Sequence, residues 1–333
     1  MTFKAAIIGC GRIAGGYDRE VPSEWSISHA GAYHLVSDTE LIAVADPNPE
    51  VLKAFCKKWG VVSGYSDYHE MLSNERIDIV SLCLPTALHF EALAAVVACD
   101  IRAVFCEKPL SNDLDQARRM IDLCRGRIVA VNYFRRWNTT LDELGSELKS
   151  GRYGKVISIT VRYTKGLQVN GSHLVDLLLW YMGMPQSLRY LRTAWDDPVD
   201  PGVDFSMIFD DGPTAYCIHV PRAPYVFIDV DILAQKGRIV IGQRGQQITT
   251  YEIAGDSHYH FPIAAMPRRL ETQWRNCTTR AVQEIIQCLK DGGTTACTMQ
   301  DAFRTLEVCH QVLDLKKQSA SHATSFHETD NDV

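Results

Sequence analysis

The run AVFCEKPL, Ala103 to Leu110, passes from four apolar positions into a carboxylate, an ammonium and a proline. Such a run reads as a strand buried on both faces, and Glu107 and Lys108 then stand at its carboxyl end with Pro109 fixing the backbone that aims them. A second group lies near the N-terminus. GCGRIAGG follows the run AAIIG and places Gly9, Gly11 and Ala14 in the spacing G-x-G-x-x-A. Glycines so spaced make a tight turn, let the backbone approach a pyrophosphate, and open a helix whose N–H groups hold the anion. Asp46 closes the next strand-like run, ELIAVAD, where a carboxylate bonds ribose hydroxyls and repels a 2′-phosphate. The combination predicts NAD rather than NADP, with Gly9, Gly11, Arg12 and Ile13 at the phosphates and Asp46 at the ribose. Asp46 lies farther from the glycines than the usual ~20 residues. The segment YDREVPSEWSISHAG, from Tyr17 to Gly31, reads as an insertion in or beside the first helix. Its His29, and Tyr33 just beyond, are expected on a loop packed over the surface, with contact to substrate as the alternative.

These groups need a scaffold that gathers strand ends. Up to Tyr133, β-branched runs (AAIIG, ELIAVAD, IDIVSLCLP, AVFCEKP, IVAVNY) alternate with helical patterns (PEVLKAFCKKWG, ALHFEALAAVVACD, NDLDQARRMIDLCRG). Strict alternation implies an α/β fold with a doubly wound parallel sheet, whose ligands sit outside the carboxyl ends of the strands. LPTALH, with Pro85, Thr86 and His89, and NYFRRWN, from Asn132 to Asn138, therefore join CEKPL as suspects. Arg135 and Arg136 offer forks of donors and Trp137 a flat face for a sugar ring, with domain-interface packing as the plain reading of the tryptophan. Beyond Tyr133 the pattern changes to helix, strand, a short apolar helix closed by Gly183, and alternating runs between about 187 and 253. That is the profile of an open, largely antiparallel mixed sheet. We expect a Rossmann domain over 1–133, a substrate-binding and oligomerisation α/β domain over 134–316, and a disordered tail over 317–333.

Composition narrows the partners. The 333 residues carry a net charge of −6 with no basic block, which argues against nucleic acid and membrane surfaces. Eleven cysteines scattered singly through apolar runs read as small buried hydrophobes of a reducing compartment. No run approaches the roughly 18 apolar residues of a membrane helix, and no signal peptide is evident, so the expected address is cytoplasmic. His258 and His260 put two imidazoles on one side of an extended segment, but no third ligand stands at a recognisable spacing, and no metal is expected. Tyr163 and Lys165 sit where a strand end meets a polar turn and are candidates for a pocket rim.

Gly9-Cys10-Gly11, Asp46, Pro85 with His89 four residues on, Glu107-Lys108-Pro109, and Asn132 through Arg136 together resemble the Gfo/Idh/MocA oxidoreductases. The resemblance is specific over residues 1–185 and general afterward. It implies a Rossmann domain followed by an α/β domain whose open sheet supports a homodimer or homotetramer. It implies also that Lys108 points at the substrate hydroxyl and the nicotinamide. The family's second signature, D-x-G-x-H, is matched by Gly171 and His173, with Asp176 three residues on, but Val169 stands where the aspartate belongs. His173 inherits the role of general base, and Asn170 supplies only a hydrogen bond. The implied reaction is hydride transfer between NAD and a secondary alcohol of a sugar, cyclitol or nucleotide-sugar, with Lys108 and His173 contributed by separate domains. TKGLQVNGSH is similar in texture to members associated with bacterial surface-polysaccharide sugars. Val169 favours two other accounts, a histidine that binds without proton transfer and a non-catalytic NAD-bound sensor or scaffold of the same fold.

Overall fold

Most of the short apolar runs of the first sheet end at a glycine, a proline or a capped helix start. The computed structural model describes residues 2–210, 212–254 and 262–328. Strands β1 (Phe3–Ile8), β2 (Thr39–Ala45), β3 (Ser63–Tyr65), β4 (Ile79–Leu82), β5 (Ala103–Cys106) and β6 (Ile128–Val131) form one sheet in the order β3-β2-β1-β4-β5-β6. Every neighbouring pair is parallel. β4 and β5 are buried at all four positions, as strands covered on both faces must be. The order reverses beside β1, and the crevice at the carboxyl ends of β1 and β4 is the switch point where such sheets take ligands.

Helices α1 (His29–Leu35), α2 (Pro49–Trp59), α3 (Tyr68–Asn74), α4 (His89–Ala98) and α5 (Leu114–Leu123) link these strands. The side chain of Asn48 accepts from the N–H groups of Glu50 and Val51 to start α2, and left-handed Gly60 ends it. Asp113 caps α5 by accepting from Gln116 N–H at 2.7 Å. β3 has three residues and α3 seven, too few to register as periodic runs, and neither is anticipated from the sequence.

The first helix corrects an expectation. The glycine turn leads into a single π-type turn, Arg12–Gly16, and α1 does not begin until His29, capped by Ser28. The chain between is held by buried Asp18, which accepts from the hydroxyls of Ser26 and Ser28, and by Lys58, which donates to the carbonyls of Gly15 and Asp18. His29 and Tyr33 therefore lie on a helix inside the core, not on a surface loop.

The second sheet is built from β7 (Val156–Tyr163), β8 (Ser187–Trp195), β9 (Gly202–Ile208), β10 (Thr214–His219), β11 (Ile228–Ala234), β12 (Gly237–Gly242), β13 (Gln247–Ala254), β14 (Ile263–Ala264) and β15 (Arg268–Leu270). Its order is β14-β13-β12-β11-β7-β10-β9-β8, with β15 on β13. β10 runs parallel to β7, and the other pairs are antiparallel. Helices α6 (Thr139–Lys149) and α7 (Ser172–Met182) bury Leu141, Leu144, Leu174 and Leu178 against inward residues such as Ile159, Val161, Phe205 and Ile232. Two helices follow, α8 (Cys277–Asp291) and α9 (Met299–Glu328).

The chain divides into two compact units, Met1–Asn138 with Gln273–Phe303, and Thr139–Thr272 with Arg304–Val333. The sequence reading assigns 134–316 to a single domain, whereas residues 273–303 belong with the first sheet. Val131 N–H donates to Cys297 carbonyl at 3.0 Å and the Thr295 hydroxyl to Val129 carbonyl at 2.8 Å, so this segment runs along β6, and α8 packs on α1. The tail expected to be disordered from 317 is helical through Glu328 in α9. Among the described residues no helix is long and apolar enough to cross a membrane. His258 and His260 lie outside the described residues.

Candidate active site

The carboxyl ends of β1, β2, β4, β5 and β6 carry the polar groups of the first unit. Gly9 has φ +91°, and a Cβ there would lie 2.7 Å from the carbonyl oxygen of Cys83, so β1 can leave the sheet beside β4 only with glycine. Gly11 differs. Its φ is −75° and a Cβ would meet nothing within 4 Å. No protein atom requires a glycine there, which leaves close approach by a ligand as the reason for one. Asp46 accepts from Cys10 N–H at 2.8 Å and from Asn48 N–H at 2.9 Å, so its carboxylate is pinned beside the turn. Arg12 is exposed and Ile13 half-buried at the start of the following turn.

Glu107 is the most constrained group at the lip. Its Oε1 lies 2.9 Å from His29 Nε2 and accepts from Asn132 Nδ2 at 2.6 Å. Burial pushes its carboxyl upward, but the hydrogen bond and charge of His29, then the Asn132 hydrogen bond and the positive charge of Lys108, outweigh burial and hold it below the usual carboxylate range. His29 continues through Nδ1 to the Ser81 hydroxyl at 2.8 Å, which lies 2.8 Å from the Tyr33 hydroxyl. The imidazole packs on Phe105, with ring centres 4.2 Å apart. Lys108 follows Glu107 as a half-buried residue, and the Lys108–Pro109 peptide bond is cis. The Cys83 and Cys106 thiols at the same strand ends are driven well above their ordinary range, by burial first and Glu107 second, so they are not nucleophiles.

Three of the expected contact residues, His89, Trp137 and Arg136, have structural duties instead. His89 is buried at the start of α4, with Nδ1 3.2 Å from Leu110 carbonyl and Nε2 3.1 Å from Leu84 carbonyl, tying together the loops after β4 and β5. Pro85 is exposed and Thr86 half-buried at the short turn before it. Trp137 offers no open face. Its indole donates to Glu284 Oε2 at 2.7 Å and meets Phe105 edge-on. Arg136 is 8% exposed, its Nη1 3.3 Å from Ala296 carbonyl and 3.5 Å from Asp301, and so anchors the 295–301 segment. Arg135 is buried as well.

In the second unit Tyr163 is fully buried, its hydroxyl donating to Val203 carbonyl at 2.7 Å, and burial raises its phenol far above the ordinary range. It is a core residue, not a pocket rim. Asn170 is buried with Nδ2 donating to Thr164 carbonyl at 2.8 Å, which closes the π-type turn Leu167–Gly171 ahead of α7. His173 is half-buried in the first turn of α7. Val169 is exposed, and its N–H donates to Asp200 Oδ2 at 2.9 Å while Gln168 N–H donates to Oδ1 at 2.7 Å. A carboxylate from the β8–β9 loop thus fastens the turn that lacks its own.

Sequence reasoning missed Ser81 and Asp200. The signal for Ser81 was a hydroxyl inside the otherwise apolar run IVSLC; the loop holding Asp200, DDPVDPG, has no periodicity to read. Among the described residues, no three or more His, Cys, Asp or Glu side chains are grouped to hold a metal ion.

Comparison with known proteins follows the same geography. Residues 3–133 match the model of an oxidoreductase family with an NAD-binding Rossmann fold. A D-glucoside 3-dehydrogenase of Escherichia coli is 28% identical over 205 residues, 55% of this chain and 54% of that protein. A myo-inositol 2-dehydrogenase of Thermotoga maritima is 30% identical over 163 residues, 48% of this chain and 45% of that protein. The chain thus spans about half the length of these curated relatives. A levoglucosan dehydrogenase solved with NADH and levoglucosan superposes with a TM-score of 0.81 at 15% identity, covering 96% of this chain and 98% of that one, a likeness of fold. The open glycine turn, the pinned Asp46 and the Glu107-Lys108-Pro109 lip all fall within residues 3–133, the part of the chain that matches the GFO_IDH_MocA model of oxidoreductases with an NAD-binding Rossmann fold.

Proposed function

We propose that the protein is an NAD-dependent dehydrogenase or reductase acting on a secondary alcohol of a sugar, cyclitol or nucleotide-sugar. The observation that carries this reading is the lip of β5, where a carboxylate held ionised at the edge of the core adjoins Lys108 at the end of a sheet with an open glycine turn. The residues present fit the cofactor: Gly11 leaves the space that a side chain would fill, and Asp46 is fixed where it selects against a 2′-phosphate. NAD, when bound, supplies the acceptor for the hydride. Gly9, Gly11, Arg12 and Ile13 hold its phosphates, Asp46 the ribose, and the β4 and β5 ends, at Pro85, Thr86 and Glu107, flank it.

Lys108 hydrogen-bonds the alcohol oxygen and stabilises the negative charge that develops there as its proton leaves. Glu107 favours the charged form of Lys108. His173 accepts that proton as general base, and the Asp200 bridge to residues 168 and 169 steadies the turn that leads into its helix. The relatives' activities on glucosides and inositols support this substrate class, and the surface-polysaccharide sugars are one branch of it.

The test is turnover. Purified protein with NAD is offered glucosides, inositols and nucleotide-sugars, and reduced nicotinamide is followed by absorbance. Lys108→Ala should lower kcat about 10²–10³-fold and His173→Ala about 10²–10⁴-fold, with NADH binding retained. Unchanged turnover in both variants refutes the assignment. Val169 favours a second reading, a non-catalytic NAD-bound sensor or scaffold, which predicts NADH binding without turnover on any substrate offered. Tyr216 and Leu233, exposed on one face of the second sheet, support association into a homodimer or homotetramer, which light scattering decides.

A further inference from the structure

His29 is a buried titratable group that the proposed reaction does not use. It is 0% exposed, and both ring nitrogens are engaged, Nε2 with Glu107 and Nδ1 with Ser81. The chain of contacts orders its own protons. Glu107, held as a carboxylate, only accepts, so the hydrogen on that side belongs to Nε2. Tyr33 keeps its phenolic hydrogen, since burial pushes it well above its ordinary range, and so has a hydrogen to give Ser81, whose hydroxyl also meets Nδ1. In the reverse order Ser81 would donate to Tyr33, and the phenol would need a further acceptor in the core.

Position as well as protonation is fixed. The ring lies against Phe105, the residue two before Glu107 on the same strand. Its helix starts there because Ser28 accepts from Gly31 N–H at 3.2 Å and Asp18 gathers Ser26 and Ser28 beneath it. A Cβ on Gly31 would come within 2.6 Å of Asp18 Oδ2, so α1 approaches this cluster only through a glycine. The segment that looked like an insertion is therefore the mount of His29.

We infer that His29 is a positioning residue whose Nε2–H, oriented through Ser81 and Tyr33, fixes the Glu107 carboxylate beside Lys108 and so maintains the lysine as an ammonium. This rests on the reading of Lys108 given above, but it makes a claim that needs no substrate. The other titratable groups facing Glu107 are the protonated Cys83 and Cys106 thiols and His89, which burial holds below its ordinary range.

Two measurements on the full chain test the inference. In the wild-type protein labelled with ¹⁵N-histidine, the His29 signals, assigned by loss in His29→Gln, should report hydrogen on Nε2; a ring with hydrogen on Nδ1 alone overturns the proposal. Acetylation of Lys108, read by mass spectrometry, follows the fraction of free amine. His29→Phe keeps a ring against Phe105 but gives Glu107 no donor, and should accelerate labelling about tenfold, the equivalent of one pKa unit. His29→Gln restores an N–H without a titratable ring and should return the wild-type rate. A folded His29→Phe that labels at the wild-type rate, or a His29→Gln that behaves like the phenylalanine variant, refutes it. If His29→Phe does not fold, the wild-type tautomer and the glutamine variant still decide. Because no turnover is read, failure here leaves the dehydrogenase reading standing, and a fruitless substrate screen leaves this test intact.

Discussion

Two glycines two residues apart should respond in opposite ways to the same methyl group. In Gly9→Ala the new side chain must accept φ +91°, a conformation that costs an L-residue about 1–2 kcal/mol. Its Cβ also meets the Cys83 carbonyl oxygen at 2.7 Å, a backbone atom that yields only if β4 shifts, and overpacking of this kind costs about 1–3 kcal/mol. Together the fold should lose about 2–5 kcal/mol, a large share of a typical domain's stability. In Gly11→Ala φ is −75° and the methyl meets nothing within 4 Å, so the fold should be unchanged or gain up to about 1 kcal/mol from the stiffer unfolded chain. That methyl nevertheless occupies the space a pyrophosphate would take. The assay is thermal unfolding of both variants alongside NADH titration by fluorescence. Gly9→Ala should unfold lower by about 2–4 °C for each kcal/mol lost, whereas Gly11→Ala should keep its midpoint and lose NADH affinity at least about tenfold, the equivalent of roughly 1.4 kcal/mol. A Gly11→Ala protein that binds NADH as tightly as the wild type would refute the placement of the phosphates. A Gly9→Ala protein of undiminished stability would refute the steric argument.

Other outcomes follow from the same geometry. Asp46→Asn removes the charge that opposes a 2′-phosphate, and the ratio of NADPH to NADH affinity should rise about tenfold or more in parallel titrations. Glu107, with its carboxyl depressed in the folded state, contributes stability above the unfolded glutamate range that is lost as pH falls through the folded value. Glu107→Gln should therefore be the less stable protein at pH 7, with the gap to wild type closing in acid, as measured by urea titration at several pH values. His219 is buried between Tyr163 and Trp195, and burial lowers its affinity for a proton, partly offset by the Lys165 carbonyl and the Asp204 and Asp200 carboxylates. Its neutral folded form contributes fully above the unfolded value of about 6.5, and stability declines as pH falls from there toward the folded value. His219→Leu should flatten that decline; an unchanged slope would exclude His219 as its source.

Apart from β3 and α3, the order of strands and helices in the first unit was legible because most of its strands are short apolar runs stopped by a glycine, a proline or a capped helix start, as at Asn48 and Asp113. Glu107 and Lys108 stood out because charge ends an apolar run. The fate of neighbouring polar residues was not legible. His89, Arg136, Trp137, Tyr163 and Asn170 were all read as contacts, and each turned inward to satisfy a backbone carbonyl or a carboxylate. Local sequence shows that a polar group sits near a strand end but not which buried acceptor lies opposite it. His29 shows the converse: a residue set among Pro, Ser and Trp looked like surface, and a single buried aspartate, Asp18, folded that stretch onto the core. The return of residues 273–303 had no local sign either, since its partner β6 lies well over a hundred positions earlier in the chain.

That returning segment bears on how the protein comes into being. A ribosome making this chain releases all six strands of the first sheet long before it reaches residue 295, so β6 must wait as an unguarded edge while the second sheet is being made. Fragments ending near residue 138 would carry the nucleotide turn yet keep that edge open, and should tend to aggregate. The first unit, though begun first, is completed only after the second sheet has been made.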